Sequence, residues 1–219
     1  MFRSISLLAG LCAALFSAPA TAEVVESGER HFVTRDTVQV AASPMETWLA
    51  LTKPGEWWND SHTWSGDAKN LTLTPQAGGC FCERIPGDDS ADGSAMEGSV
   101  RHAVVVQAFP LRVLRLRGGL GPLQAEPATG VLTVTLKEID GGTRVLWEYV
   151  VGGEMRFEVA EISKAVDGVM SQQLKGLQAH LGALGGERLE AAAKIAGPEE
   201  PEEDPTIEAQ IDALGKKED

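Results

Sequence analysis

The chain has 219 residues, of which 43% are hydrophobic, and its formal net charge at pH 7 is -13. This length allows one domain of about 150 residues with a sizeable core, plus terminal segments. The acidic balance argues against binding nucleic acid or anionic lipid through general electrostatics, so no nucleic-acid partner is expected. We also expect no cofactor and no metal, because the sequence lacks a nucleotide-binding glycine loop and C-x-x-C or H-E-x-x-H spacings.

The N-terminal residues are typical of a secretory signal peptide. Arg3 precedes an apolar run from Ile5 to Phe16, and the small residues Ala20 to Ala22 stand before Glu23. A membrane anchor is the alternative, but the run is shorter than the roughly 20 residues that a spanning helix needs. We therefore predict cleavage after Ala22, a periplasmic or secreted protein, and no integral membrane segment after cleavage.

Short elements follow in the first half of the chain. Residues 23–30 are assigned to an N-terminal extension, and the domain is predicted to span residues 31–185. A strand from His31 to Val40 precedes a short helix from Pro44 to Thr52, and a second short helical turn carries Trp57 and Trp58. Six further strands, separated by Gly- and Pro-rich turns, are predicted at residues 71–74, 79–85, 99–108, 111–117, 130–139 and 143–151.

The longest periodic stretch runs from Val159 to Leu184 and predicts a helix with one continuous apolar stripe. A helix this long needs a large apolar partner, which the strands supply. The predicted fold class is therefore α+β: a curved antiparallel sheet of about seven strands around one long C-terminal helix, with two short helices after the first strand. The stripe comprises Val159, Ile162, Val166, Val169, Met170, Leu174, Leu177, Leu181 and Leu184.

Two segments follow the long helix. Residues 186–197 are predicted to form a short helical extension, and residues 198–219 an acidic disordered tail. The tail contains PEEPEEDP, which has too little apolar surface to offset the entropy of ordering it. A solubilising role is favoured there over the binding of cations or partners.

Three motifs in these elements are informative together. They are V-x-V-x-x-x-P-x-x-x-W-x-x-L-T-x-P-x-x-W-W from Val38 to Trp58, L-x-L-x-x-x-x-G-G-x-F-x-E from Leu71 to Glu83, and the strand from Gly98 to Pro110. With the order of elements, they resemble the START-related helix-grip superfamily, also called SRPBCC, over residues 31–184. Its members include polyketide cyclases, lipid carriers and homologues of a heat-shock ATPase activator. The resemblance implies an apolar cavity between sheet and long helix, roofed by the short helices and loops, and it assigns no catalytic residue.

The expected ligand contacts lie around this cavity. Three tryptophans lie close together in the segment that should cover it, and an aromatic rim suits an apolar or ring-bearing ligand. Packing of the short helices onto the sheet explains these tryptophans equally well. The loop from Gly118 to Leu123 is a second candidate cover, with a plain loop as its default interpretation. The residues expected to bind ligand are Trp57, Trp58, His62, Trp64, Leu120, Leu123, Val166, Met170 and Leu174.

Two classes of function are compatible with these features. We favour an exported protein that binds a small hydrophobic molecule, a lipid or an aromatic metabolite. The alternative is an enzyme of cyclase or hydratase type, and a protein-interaction module is a weaker third option. An ionisable pair inside the cavity would favour the enzyme, and an apolar lining would favour binding. The weak catalytic candidates, each of which has a structural interpretation as well, are His62, Glu83, His102 and Tyr149.

Cys80 and Cys82 form a C-x-C on a predicted strand. Their side chains should point to the same face, about 7 Å apart. That spacing is awkward for a disulfide, whose Cα atoms usually lie within about 6.8 Å, although export favours pairing. Two buried free thiols are favoured over a strained or intermolecular disulfide, and both are favoured over a metal site completed by His102.

Overall fold

The computed structural model describes residues 23–87 and 96–184. The predicted signal peptide, the helical extension at residues 186–197 and the acidic tail lie outside the described residues. In the part of the chain that is described, no helix is both long and apolar enough to cross a membrane.

One antiparallel sheet dominates the described residues. Its eight strands there are β1 (Glu23–Ser27), β2 (His31–Val40), β3 (Leu71–Leu73), β4 (Cys80–Ile85), β5 (Gly98–Phe109), β6 (Val113–Arg117), β7 (Ala128–Ile139) and β8 (Gly142–Gly153). The strands are ordered β1-β2-β8-β7-β6-β5-β4-β3, and every neighbouring pair is antiparallel. The first strand of the predicted domain therefore lies beside the last one.

The predicted strand count of about seven is wrong, because β1 adds an eighth strand. This strand lies in the segment assigned to an N-terminal extension, and it pairs with β2 from Glu23 opposite Arg35 to Ser27 opposite Phe32. An edge strand pairs with a neighbour on one side only, and natural edge strands are often short and carry charged residues. The sequence EVVES gives no alternation to recognise, and its pairing depends on β2, whose Phe32 is fully buried.

Two α-helices are present in the described residues, α1 (Pro44–Leu51) and α2 (Val159–Leu181). α1 begins after Ser43, which forms a reciprocal capping box with Glu46. The second predicted short helix is a 3-10 turn at Pro54–Glu56, and Trp57 follows it directly. Further 3-10 turns lie at Asp60–His62, Ala68–Asn70 and Gly121–Ala125.

The predicted apolar stripe of α2 is confirmed as its buried face. α2 packs against β2, β1 and α1, and Gly176 allows it to approach the segment after α1. A Cβ atom at Gly176 would lie 2.6 Å from the carbonyl oxygen of Trp57. Within α2 the buried positions of the stripe are Ile162, Val166, Met170, Leu174 and Leu177. The helix ends at Leu181, before the predicted end at Leu184, and Leu184 is buried beyond it.

Burial identifies the inward face of the sheet, which alternation alone left ambiguous. On β8 the buried set includes Val145, Trp147, Tyr149 and Val151, and on β7 it includes Leu132, Val134 and Leu136. The α+β class, the single antiparallel sheet and the long C-terminal helix are thus confirmed. The arrangement is compatible with a helix-grip fold.

Candidate functional site

A cavity of about 350 Å³ lies between α2 and the β3–β4–β5 end of the sheet. α2 packs directly against the other end of the sheet, at β1 and β2. The space opposite is closed by the segment that follows α1 and by the loop between β6 and β7. The lining residues are Ile162, Ala165, Val166, Val169 and Met170 from α2, Leu71, Phe81 and His102 from the sheet, and Trp58, Ser61, His62, Thr63, Trp64, Leu120, Gly121 and Pro122 from the two covering segments.

Six of the nine residues predicted to bind ligand line this cavity: Trp58, His62, Trp64, Leu120, Val166 and Met170. The other three, Trp57, Leu123 and Leu174, are buried in the core outside its lining. The Trp57 indole N–H donates to the carbonyl oxygen of Ala50 at 2.8 Å, which ties Trp57 to α1. Leu174 lies about one helical turn beyond Met170 and is fully buried.

The segment at residues 58–64 is folded by its own polar side chains. Asn59 Oδ1 accepts from the backbone N–H of Ser61 at 2.9 Å, and Asp60 Oδ1 accepts from the backbone N–H of Ala68 at 2.8 Å. The Trp58 indole N–H donates to the carbonyl oxygen of His62 at 3.1 Å. These contacts hold the 3-10 turn that presents His62 to the cavity.

His62 is also fixed from the helix side. Gln173 on α2 is fully buried, and its Oε1 accepts from the backbone N–H of Asn59 at 2.9 Å. Because a backbone N–H only donates, the amide nitrogen of Gln173 is the atom that lies 2.7 Å from His62 Nδ1. Nδ1 therefore accepts, and the proton of the neutral imidazole is on Nε2.

His102 reaches the cavity because β5 carries a bulge there. Phe81 on β4 pairs with Ala103, whereas the next residue, Cys82, pairs with Arg101, so His102 is the extra residue. Strict alternation would point neighbours on β5 to opposite faces, yet His102 and Ala103 are both buried. The bulge turns the imidazole inward, as bulges often do near functional sites.

Behind His102 lies Glu83, whose side chain is fully buried. His102 Nε2 lies 2.8 Å from Glu83 Oε2, which also accepts from the backbone N–H of Trp64 at 3.1 Å. Glu83 Oε1 accepts from the backbone N–H of Ser65. Burial by itself raises the pKa of the Glu83 carboxyl, but the hydrogen bonds from Ser65, Trp64 and His102 outweigh it and lower the pKa below its ordinary value. Glu83 is thus an ionised carboxylate that joins the sheet to the covering segment.

Gln124 closes this network into a ring. Its Oε1 accepts from the Trp64 indole N–H at 3.0 Å, so its amide nitrogen is the atom that lies 3.1 Å from His102 Nδ1. His102 therefore accepts at Nδ1 and donates from Nε2 to Glu83. Both ring nitrogens are occupied by protein groups, although one face of the ring lines the cavity.

Tyr149, the remaining weak catalytic candidate, lies outside the cavity lining. Its hydroxyl donates to the carbonyl oxygen of Gly118 at 2.9 Å and accepts from the backbone N–H of Leu120 at 3.1 Å. Burial raises the pKa of the Tyr149 phenol well above its ordinary value. Tyr149 thus holds the start of the β6–β7 loop and has no atom in the site.

Cys80 and Cys82 form a disulfide, whereas the sequence favoured free thiols. Their Cα atoms are 5.3 Å apart, closer than the roughly 7 Å expected for two residues of an extended strand. The expected distance that argued against a disulfide therefore does not apply here. The β4–β5 register also shifts between Phe81 and Cys82. Within the described ranges, no group of three or more His, Cys, Asp or Glu side chains could hold a metal ion.

Two glutamines in the site, Gln173 and Gln124, were not anticipated from the sequence. Gln173 follows Val166 by seven residues and precedes Leu177 by four, so helical spacing places it on the apolar stripe. A polar residue at such a position is a detectable signal. Gln124 lies in a loop, where no periodicity marks it.

No family model matches the chain, and a search of curated proteins finds no match. Solved structures of similar shape include an uncharacterized protein from Rhizobium leguminosarum, with 18% identity over 75% of this chain and 98% of that chain, at a TM-score of 0.49. A protein from Rhizobium loti has 18% identity over 69% of this chain and 97% of that chain, also at 0.49. A protein from Mycobacterium smegmatis has 18% identity over 76% of this chain and 99% of that chain, at 0.48.

Proposed function

We propose that this chain is an exported, SRPBCC-like binding protein that holds a small hydrophobic molecule between α2 and the sheet. The observation that supports the proposal best is the cavity of about 350 Å³, which has a largely apolar lining. The apolar side chains around a space of this size lack some of the contacts that a close-packed interior would give them. A ligand restores those contacts.

The expected affinity follows from the area that a ligand would bury. A medium-sized apolar molecule would lose a few hundred Å² of exposed surface, which at about 25 cal/mol per Å² gives a gross gain of roughly 5 to 10 kcal/mol. Association costs several kcal/mol of this. Micromolar binding is therefore attainable without a specific polar contact.

An enzyme of cyclase or hydratase type is the second candidate. The observation in its favour is the buried His102–Glu83 pair at 2.8 Å, since an ionisable pair in a cavity wall is typical of proton-transfer sites. The hydrogen-bond partners of His102 and Glu83 argue that the pair has a structural role. Gln124 occupies the lone pair of His102 Nδ1, and Glu83 holds three protein donors with no exposed side-chain surface, so neither group is open to a substrate. Chemical change of a bound ligand that is lost in His102→Ala would reverse this ranking.

Filling the cavity tests the binding proposal. Val166 is buried on α2 and lines the cavity, so Val166→Phe should place a ring in the empty space. We expect ethylnaphthalene, titrated by isothermal calorimetry and by tryptophan fluorescence, to bind the wild-type chain at micromolar concentration and the variant at least tenfold more weakly.

The matched control is Val159→Phe, the same change at the start of the same helix and outside the cavity lining. It should bind ethylnaphthalene like the wild-type chain. Equal binding by wild type and Val166→Phe would place the ligand elsewhere, and absence of binding by the wild-type chain would contradict the proposal.

A further inference from the structure

The hydrogen-bond donors around the cavity are nearly all occupied by the protein itself. Two indoles, two hydroxyls and one imidazole line it, and each donates to a protein acceptor at 3.1 Å or less. The pairs are Trp58 Nε1 with the carbonyl oxygen of His62, Ser61 Oγ with Asn59 Oδ1, Thr63 Oγ1 with the carbonyl oxygen of Asp60, Trp64 Nε1 with Gln124 Oε1, and His102 Nε2 with Glu83 Oε2.

His62 is the exception. Its Nδ1 accepts from Gln173, which leaves the proton on Nε2, and Nε2 has no acceptor among the described residues. The two ring nitrogens of an imidazole point in widely different directions, so Nε2 faces away from Gln173. The His62 ring is half-buried and lines the cavity. A ligand that displaces water from Nε2 and offers no acceptor would leave this N–H without a hydrogen bond, which carries a free-energy cost.

The charges around the cavity favour a neutral acceptor over an anionic one. No lysine or arginine is among the described side chains that line the cavity. The Asn59–Gln173 hydrogen bond fixes the amide so that Nδ1 of His62 accepts from Gln173 and carries no proton. The ionised Glu83 lies directly behind His102. An anionic head group would therefore lose its hydration, meet no cation and lie near a buried carboxylate.

We propose that the cavity takes an uncharged apolar molecule with one acceptor oxygen, a carbonyl or an ether, and that His62 Nε2 donates to that oxygen. This proposal rests on the proposed binding function and adds the chemical class of the ligand. It separates ketones, esters and similar neutral compounds from fatty or aromatic carboxylates. Gln173 acts as the positioning residue, because it determines which nitrogen of His62 carries the proton.

Three probes of nearly equal shape test the proposal. They are acetylnaphthalene, ethylnaphthalene and naphthoate, substituted at the same ring carbon and titrated by calorimetry into the mature chain at neutral pH. Acetylnaphthalene should bind about two- to tenfold more tightly than ethylnaphthalene, the gain expected from one neutral hydrogen bond. Naphthoate should bind most weakly.

Two substitutions assign the effect to His62. In His62→Phe the donor is lost, so acetylnaphthalene and ethylnaphthalene should bind equally. The matched control is His180→Phe on α2, whose histidine pairs with Glu56 outside the cavity lining. This variant should keep the wild-type order. Circular dichroism and melting temperature show whether each variant is folded.

Gln173→Glu gives an independent result. Its carboxylate can accept from Asn59 N–H and from a proton on His62 Nδ1, which moves the proton of the imidazole from Nε2 to Nδ1 and turns Nε2 into an acceptor. Acetylnaphthalene should then lose its advantage over ethylnaphthalene. This readout needs no aromatic substitution at His62, so it serves if His62→Phe does not fold.

The outcomes separate this proposal from the binding function. Equal binding of acetylnaphthalene and ethylnaphthalene by the wild-type chain would contradict the role of His62 and leave the binding function supported. A ketone preference that persists in folded His62→Phe, or naphthoate as the tightest wild-type ligand, would also overturn it. If neither neutral probe binds the wild-type chain, both proposals fall.

Discussion

Glu83 connects the covering segment that follows α1 to the sheet. Its carboxylate receives hydrogen bonds from two backbone N–H groups of that segment and from His102, and it has no exposed side-chain surface. All three partners are donors. An amide in its place would direct its own N–H toward one of them, and that donor would remain buried without an acceptor.

The pH dependence of stability should reveal this carboxylate. The folded pKa of Glu83 is lowered, so the unfolded chain binds its proton more readily, and unfolding becomes easier as pH falls below the ordinary carboxyl pKa of about 4.3. We expect urea unfolding to show a loss of stability between about pH 5 and pH 3, with a smaller slope in Glu83→Gln. At neutral pH this variant should already be less stable by roughly 1.5 to 3 kcal/mol.

The matched control for this change is Glu97→Gln, at an exposed carboxyl that pairs with Arg84. It should change the free energy of unfolding at neutral pH by about 0.5 kcal/mol or less. A neutral-pH stability of Glu83→Gln equal to that of the wild-type chain would contradict the network described for the site.

The chemistry of the site was only partly predictable at the scale of residues. Residue type and predicted strand position identified Glu83 and His102 as candidates, but alternation alone would have placed His102 and Ala103 on opposite faces. The β5 bulge that turns His102 inward is a property of the pairing with β4. The tautomer of each histidine depends on Gln124 and Gln173, which lie far from them in sequence. Such contacts appear only once the chain is folded.

Among the elements, α2 is the one that the sequence describes best. A period near 3.6 over more than five turns is difficult to produce by chance, and the buried face matches the predicted stripe. β1 is the opposite case, because its pairing with β2 determines its structure more than its own residues do. Elements with a complete buried face were predictable, and an edge strand with few apolar residues was not.

Truncation of the α2 stripe should be costly. Leu177 is fully buried, and Leu177→Ala should lower the free energy of unfolding by roughly 2 to 5 kcal/mol, measured by urea denaturation. The control is Lys175→Ala on the exposed face of the same helix, which should change stability by about 0.5 kcal/mol or less. Similar small changes in both variants would mean that α2 contributes little to the core.

In the molecule as a whole, the cavity exists because α2 packs directly against only one end of the sheet. α2 packs against β1 and β2 at one end of the sheet, and at the other end the covering segments lie between helix and strands. Glu83 and Gln173 fix one cover, Tyr149 fixes the other, and the Trp64–Gln124 hydrogen bond joins the two. The α+β architecture was predictable from the order of elements. The volume of the cavity was not, because it depends on how completely side chains from distant segments fill the space.

We propose that this cavity holds an apolar molecule, and native mass spectrometry of the protein isolated without detergent tests this most directly. We predict an added mass on the wild-type chain that leaves as an intact neutral molecule on collisional activation. The same species should be absent from Val166→Phe and present on Val159→Phe. A bare chain mass for the wild-type protein after exposure to a lipid extract, or an equal load on Val166→Phe, would contradict the account.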